Sequence, residues 1–303
     1  MKLSGTVLSF LLLFIVSLSW GSSYILMKKS LLVLNPYQLA STRLFIATWC
    51  FTPFAIVHFK VRHLKILKHF LIVGICGSGI PSFCFALAQT KINSSLAGAL
   101  SSLTPIFTLI LGLLFYRFEY SGNKIIGIIL GLIGAILIIV FKTEIHGIDN
   151  PWFGLFIVLA AILYAWSTNT IGLYLKDENS IAISGIAFGL MAIPATLLFY
   201  FTGSYDLVVA EDMKWIDFAP VITLAIMGSV ITSIAYFYLI RISGSLFAST
   251  VSYLTPVVAI LFGMYDGEQL HIIQFLGIGL MMTGIILSRT NLNSKKINST
   301  SNN

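Results

Sequence analysis

Gly98 to Pro105 reads GALSSLTP, and Ser249 to Pro256 reads STVSYLTP. Around this pair other features repeat in the same order. Gly77-Ser78 is answered by Gly228-Ser229, and Glu119 by Glu268. The glycine ladder Gly127, Gly131, Gly134 is answered by Gly277 and Gly284. The offset is about 150 residues throughout, half of the 303-residue chain. The chain therefore reads as a duplicated gene. A duplicated hydrophobic half is the usual sequence pattern of a membrane transporter, in which two repeats enclose a central site.

Hydrophobic residues make up 57% of the chain and charged residues 10%, with a mean hydropathy of +0.95. A soluble domain carries about a quarter charged residues, so lipid is the expected solvent. Ten apolar runs follow one another at 6–27, 36–58, 69–89, 94–116, 123–141, 152–174, 181–201, 219–239, 246–265 and 271–288. Each is near the ~20 residues that cross a bilayer as a helix. The expected fold is an all-α membrane protein of about ten transmembrane helices. The first run is no signal peptide, because its Trp20-Gly21-Ser22-Ser23 has a counterpart in the sixth run. The units are a first repeat over 1–148, a second over 149–290, and a disordered cytoplasmic tail over 291–303, rich in Asn, Ser and Lys. Cys50, Cys76 and Cys84 fall inside predicted helices without a CxxC pattern, so no disulfide framework is expected.

The net charge of +7 is distributed as an orientation signal. With linkers assigned alternately to two sides, the side of both termini holds Lys2, Lys60, Arg62, Lys65, Lys68, Arg117, Lys124, Lys176, Arg241, Arg289, Lys295 and Lys296. The other holds Lys28, Lys29, Lys91, Lys142 and Lys214, together with acids such as Glu144, Asp149, Asp206, Glu211, Asp212, Asp217, Asp266 and Glu268. Short basic loops stay cytoplasmic. Both termini are expected inside, in the plasma membrane (the inner membrane of a bacterium), and nucleic acid is not an expected partner. Five helices per repeat is an odd number, so the second half enters the membrane from the opposite side. The result is a 5+5 inverted repeat with one half-gate facing each way, the architecture of alternating access. A duplicated scaffold is the competing reading.

Trp20-Gly21-Ser22-Ser23-Tyr24, Lys28, Arg43, Leu103-Thr104-Pro105, Glu119 and the Gly127/Gly134 pair resemble the EamA-type half of the drug/metabolite transporter superfamily. The second half resembles a degenerate copy, with Tyr164-Ala165 at the Trp-Gly position, then Leu254-Thr255-Pro256, Glu268 and Gly277/Gly284. The resemblance covers all but about the last dozen residues. It implies ten helices in two inverted halves, and export or exchange of small metabolites, often amino acids. One departure stands out: the segment Ile181 to Phe201 carries no charge, so Arg43 has no mate in the second half.

Arg43 is the one strongly basic residue well inside a predicted helix, where it costs about 2.5–3.5 kcal/mol on insertion scales. It holds a substrate carboxylate, locks a gate carbonyl, or snorkels to the headgroups. Lys28 reads as a substrate contact or an interface anchor. Pro105 and Pro256 each free a backbone carbonyl in mid-helix, which needs a partner in lipid. Thr104, Thr255, Ser101, Ser102 and Ser252 have the hydroxyls to supply one. Matched kinks in matched helices mark a central gating site; a static packing kink is the alternative. Pro53 and Pro194 read as simple kinks. Trp20, Ser23, Tyr24, Ser82, Gln89, Tyr164, Trp166, Asn169, Tyr236 and Tyr253 are candidate lining residues, since aromatic rings with polar tips suit an amphiphilic small molecule. Interfacial belts compete for the aromatics. The glycine ladders give small faces for close helix packing, within the chain or in a homodimer.

No Asp or Glu lies deep within a predicted helix, and His58, His63, His69, His146 and His271 sit at helix ends or in loops. This favours a uniporter or exchanger over proton coupling. HExxH, GxSxG and Walker A patterns are missing, which disfavours an enzyme. Neither charge rings nor a repeated carbonyl filter suggests a channel. A cationic-drug efflux carrier of the same fold remains a rival reading. No cofactor and no metal site is expected.

Overall fold

The computed structural model describes residues 5–92, 94–140, 150–210, 215–265 and 272–289. The expectations placed on Lys2, Lys142, Glu144, His146, Asp149, Glu211, Asp212, Lys214, Asp266, Glu268, His271 and the tail 291–303 lie outside them. Every regular element among the described residues is helical. In chain order these are α1 (Gly5–Ser30), α2 (Pro36–His58), α3 (Leu67–Gly74), α4 (Ile80–Ala88), α5 (Ser94–Ser101), α6 (Thr104–Leu114), α7 (Gly122–Val140) and α8 (Gly154–Tyr174). There follow α9 (Ser180–Gly189), α10 (Ala192–Phe201), α11 (Ser204–Val209), α12 (Trp215–Thr223), α13 (Thr232–Ser243), α14 (Ser245–Ser249), α15 (Val251–Tyr265) and α16 (Ile272–Arg289).

Six helical stretches are long and apolar enough to cross a membrane: Gly5–Ser30, Pro36–His58, Val61–Ala88, Leu96–Leu114, Gly154–Tyr174 and Trp215–Ser243. A seventh is the pair α9 and α10, bent by 44°. That bend lies one turn before Pro194, where the missing N–H cannot hold the preceding helix. Three shorter apolar helices cover Gly122–Leu137, Ser245–Val258 and Phe275–Arg289.

Local sequence explains the breaks. Asn35 caps α2 by accepting hydrogen bonds from Tyr37 N and Gln38 N, while Gln38 Oε1 takes the Asn35 N–H at 3.0 Å. Pro36 fits the first turn behind this capping box. Two stretches widen into π-helix, Ile75–Gly79 and Leu224–Ile231, one in each half. The first runs into Pro81, in the first turn of α4. The second has Thr232 at that place, and its Oγ1 bonds the Met227 carbonyl. π-Turns of this kind collect at functional sites.

The tightest helix pair is α7 with α16, built on the glycine ladders. A Cβ on Gly127 would stand 2.6 Å from the Gly284 carbonyl oxygen, and one on Gly134 would stand 2.5 Å from that of Gly277. A Cβ on Gly284 would collide with the Gly127 carbonyl. Gly131 is covered by the Tyr253 ring. The glycine faces are therefore filled within the chain. The pattern is also reciprocal: Gly127 meets Gly284, and their repeat mates Gly277 and Gly134 meet each other.

Linkers of the two halves meet each other. At one end Arg62 Nη2 pairs with Glu178 Oε2 at 2.8 Å, and Arg241 Nε donates to the Lys176 carbonyl at 3.1 Å. At the other, Asn150 N reaches the Lys91 carbonyl at 3.5 Å. Cys50, Cys76 and Cys84 are free thiols.

Candidate functional site

A cavity opens between the halves. Its lining is Trp20, Ser23, Tyr24 and Met27 of α1, Arg43 of α2, Phe85 of α4, Ser101 and Thr104 of the broken α5–α6 pair, Tyr164 of α8, and Ser252 and Thr255 of α15. It encloses about 500 Å³ of empty space, its mouth included. Trp20, Ser23, Tyr24 and Met27 are spaced i, i+3, i+4, i+7, one face of one helix.

The floor is built beside Pro105, at the α5–α6 break, and Pro256, which stands inside α15. Pro105 cannot bond the Ser101 carbonyl, and the Thr104 hydroxyl takes it instead at 2.7 Å. Pro256 leaves the Ser252 carbonyl free in the same way. Here the donor is the Ser102 hydroxyl of the other half, at 3.1 Å. The α5–α6 break thus meets α15 beside Pro256, with Ser101, Thr104, Ser252 and Thr255 around the cavity. A hydroxyl-lined floor is a source of hydrogen bonds that an apolar helix pair lacks.

The walls are aromatic. Trp20 stacks on its repeat mate Tyr164 with ring centroids 6.3 Å apart and planes 14° off parallel. Its other neighbour is Tyr236, at 4.8 Å. The indole Nε1 donates to the Gly228 carbonyl at 3.1 Å, inside the second π-turn. The same turn holds Arg43: its Nε donates to Ser229 Oγ at 2.9 Å. A guanidinium carries five N–H donors in a planar fork, and Nε accounts for one. Among the described residues no carboxylate pairs with Arg43.

Seven expected site residues line this cavity: Trp20, Ser23, Tyr24, Arg43, Thr104, Tyr164 and Thr255. Five do not. Ser82 bonds the Ser78 carbonyl within its own helix, at 2.7 Å. Trp166 packs its ring on Phe115 with centroids 5.6 Å apart. Asn169 is fully buried and donates Nδ2 to the Thr108 carbonyl at 2.9 Å. Tyr236 backs the Trp20 ring and places its hydroxyl 3.0 Å from Thr168 Oγ1. Tyr253 is fully buried, its hydroxyl on the Ile128 carbonyl at 2.7 Å. Gln89 bonds Ser94 Oγ at 3.2 Å, and Lys28 is exposed at the end of α1, outside the lining. Sequence reasoning left Met27 and Phe85 out of the lining and gave Ser101 and Ser252 only a carbonyl-capping part. The heptad face of α1 pointed to Met27. The offset of the repeat pointed to Phe85, whose mate is Tyr236.

The packing of the π-turns is again reciprocal. A Cβ on Gly228 would meet Ser23 Oγ at 2.7 Å, and one on Gly77 would meet Ser167 Oγ at 2.6 Å. Ser167 stands to Tyr164 as Ser23 stands to Trp20. The surroundings differ: Ser23 borders the cavity, whereas Ser167, Thr168, Ile171 and Leu175 are buried. Ile171 and Leu175 pack with Leu239, Ile240, Leu246 and Phe247 in the larger apolar core. The Arg43 cavity therefore lies toward one end of the bundle; toward the other, a separate cavity bordered by Gly172, Leu246 and Phe247 adjoins the buried Ile171 and Leu175.

The EamA-like transporter family model matches this chain twice, over residues 7–140 and 152–290. The chain belongs to that family, within the drug/metabolite transporter superfamily, and is a membrane transporter. Among its relatives is a protein of Archaeoglobus fulgidus named an uncharacterized transporter. It is 27% identical over 270 residues, covering 88% of this chain and 94% of that one. The uncharacterized inner membrane transporter YedA of Escherichia coli K12 is 26% identical over 285 residues, covering 91% and 88%. A solved crystal structure shares the fold with a TM-score of 0.65 at 15% identity, over 92% of this chain and 96% of its own.

Proposed function

We propose that this protein is an exporter or exchanger of small carboxylate-bearing metabolites such as amino acids, working by alternating access. The ten-helix 5+5 inverted repeat is part of the proposal. The seven membrane-length stretches and three shorter apolar helices coincide with the ten apolar runs. The double family match and the reciprocal pairs Gly127–Gly284 with Gly134–Gly277 support a two-fold relation between residues 1–148 and 149–290.

One observation carries the substrate class. Arg43 borders a cavity between the halves, is held by Ser229 at one nitrogen only, and has no described counter-ion. A bidentate carboxylate is the natural match to the rest of its fork. The stacked Trp20 and Tyr164 rings offer an apolar body contact beside it. A guanidinium in this position disfavours cationic drugs as cargo. Among the described residues no Asp or Glu borders the cavity, which supports uniport or exchange over proton coupling. The basic linkers support a plasma-membrane setting with both termini cytoplasmic.

Counterflow in proteoliposomes tests the proposal, with amino acids, their decarboxylated amines, nucleosides and cationic drugs, each with and without a pH gradient. Saturable trans-stimulated exchange of amino acids, with none for the matching amines, is the expected result. Unsaturating conductance would point to a channel, and preferred uptake of the amines would reject Arg43 as a carboxylate site.

A further inference from the structure

Two cavities of about 500 Å³ each, mouths included, lie along α8: the Arg43 cavity and the one bordered by Gly172 of α8 and Ser243 of α13. Tyr164 borders the first and Gly172 the second, about 12 Å apart along the helix. Thr168 stands midway, one turn from each. Its Oγ1 lies 3.0 Å from the hydroxyl of Tyr236, which is two turns before Ser243 on α13. Both side chains are buried. The Tyr236 ring rests against Trp20 of the Arg43 cavity, with centroids 4.8 Å apart. The hydroxyl pair therefore forms a layer between the two cavities.

The repeat gives this pair a mate. Thr168 is equivalent to Tyr24 at the offset that relates Ser167 to Ser23, and Tyr236 is equivalent to Phe85. Tyr24 and Phe85 both line the Arg43 cavity, with ring centroids 5.8 Å apart and planes at 65°. Phe85 has no polar tip, so this pair meets by ring contact without a hydrogen bond. The same two positions thus face a cavity in one half and are joined by hydroxyls in the other. α8 packs against α4 and α6, and α13 packs against α1. The hydroxyl pair therefore ties together the helices that flank the Arg43 cavity.

Resting on the alternating-access reading proposed above, we infer that Thr168 and Tyr236 are the gate on the cytoplasmic side of the Arg43 cavity, and that Tyr24 and Phe85 are its counterpart on the outer side. The two gates differ in chemistry. Opening the inner one exchanges a buried hydrogen bond for water, and opening the outer one parts two rings. A hydroxyl that loses its partner is costly while the gate is shut and is hydrated once it opens. Thr168→Val leaves the Tyr236 hydroxyl unpaired and so biases the protein toward the cytoplasm-open state. Tyr236→Phe does so less, because the Thr168 hydroxyl can turn to the Tyr164 carbonyl one turn back. Removing both hydroxyls leaves nothing unpaired and returns the balance toward the parent.

The test is side-specific thiol labelling of the full chain in oriented vesicles, with Cys50, Cys76 and Cys84 replaced by Ala. Ser23→Cys reports the outer side and Ser167→Cys the cytoplasmic side. Thr168→Val is expected to raise the ratio of the Ser167→Cys rate to the Ser23→Cys rate roughly fivefold or more, with no rise at Ser23→Cys. Thr168→Val/Tyr236→Phe should bring the ratio back toward the parent. An unchanged ratio would overturn the gate, as would both rates rising together, which is what loosened packing gives. If Thr168→Val does not fold, Tyr236→Phe carries the same comparison, with a smaller shift in the same direction. Both reporters labelling from one face in the parent would reject the alternating-access reading and the gate with it. Labelling from opposite faces that ignores these variants would reject the gate alone.

Discussion

At the scale of the residue, Arg43 and Ser102 carry the account. Arg43 is positioned by Ser229 and has most of its donor fork uncommitted, so removing it removes charge-assisted hydrogen bonds to cargo and little structure. A hydrogen bond to a charged group contributes about 1.5–3 kcal/mol, which corresponds to roughly 10- to 100-fold in affinity. Arg43→Ala is expected to raise the KM for a carboxylate substrate by that factor while the thermal midpoint stays put. Unchanged uptake would return Arg43 to the snorkelling reading. Ser102 acts on structure, because its hydroxyl reaches across the halves to the carbonyl that Pro256 frees. Ser102→Ala should cost about 1–3 kcal/mol by leaving that carbonyl buried and unpaired, and Ser102→Thr should restore it. A thermal-denaturation series in detergent reads both. The sequence offered five hydroxyls near the kinks without saying which served which carbonyl. Thr104 proved to serve its own half, and the cross-half partner is visible only once the chain is folded.

At the scale of the element, glycine and proline spacing made most of the architecture readable beforehand. Pro105 and Pro256 predict matched kinks; α5 and α6 separate just before Pro105, whereas Pro256 stands inside α15. The ladders Gly127/Gly134 and Gly277/Gly284 predicted small helix faces and found each other. Polar side chains were less informative. Ser82, Asn169 and Tyr253 have hydrogen bonds to helix carbonyls, so polarity inside an apolar helix reported backbone satisfaction as often as a cavity. The π-turns were hidden because a widened turn has no composition of its own. A Leu at Gly127 or Gly134 would force α7 from α16 at backbone contact, and overpacking of this kind costs about 1–3 kcal/mol or more. Each variant should lose thermal stability or fail to accumulate, whereas Gly279→Ala, with open space around it, should behave as the parent. Equal stability of all three would contradict this packing.

At the scale of the whole molecule, the duplicated motif is what ties sequence to function. Equivalent residues do different things in the two halves. Trp20 and Ser23 border the cavity, and Ser167, the mate of Ser23, is packed against Gly77 with Ile171 and Leu175 buried below it. On the alternating-access reading proposed above, the two halves would exchange these environments, and Ser167 would border the open cavity of the other state. Arg43 has no basic mate in the uncharged segment Ile181 to Phe201, so on that reading both states would share one cation. The most direct test is side-specific thiol labelling in vesicles of known orientation, on a background with Cys50, Cys76 and Cys84 replaced by Ala. Ser23→Cys should react with an impermeant reagent from the outer face, and Ser167→Cys from the cytoplasmic face. Substrate on one side should raise one rate while lowering the other. If both positions label from the same face, or neither rate responds to any transported substrate, the inverted-repeat carrier described here is wrong.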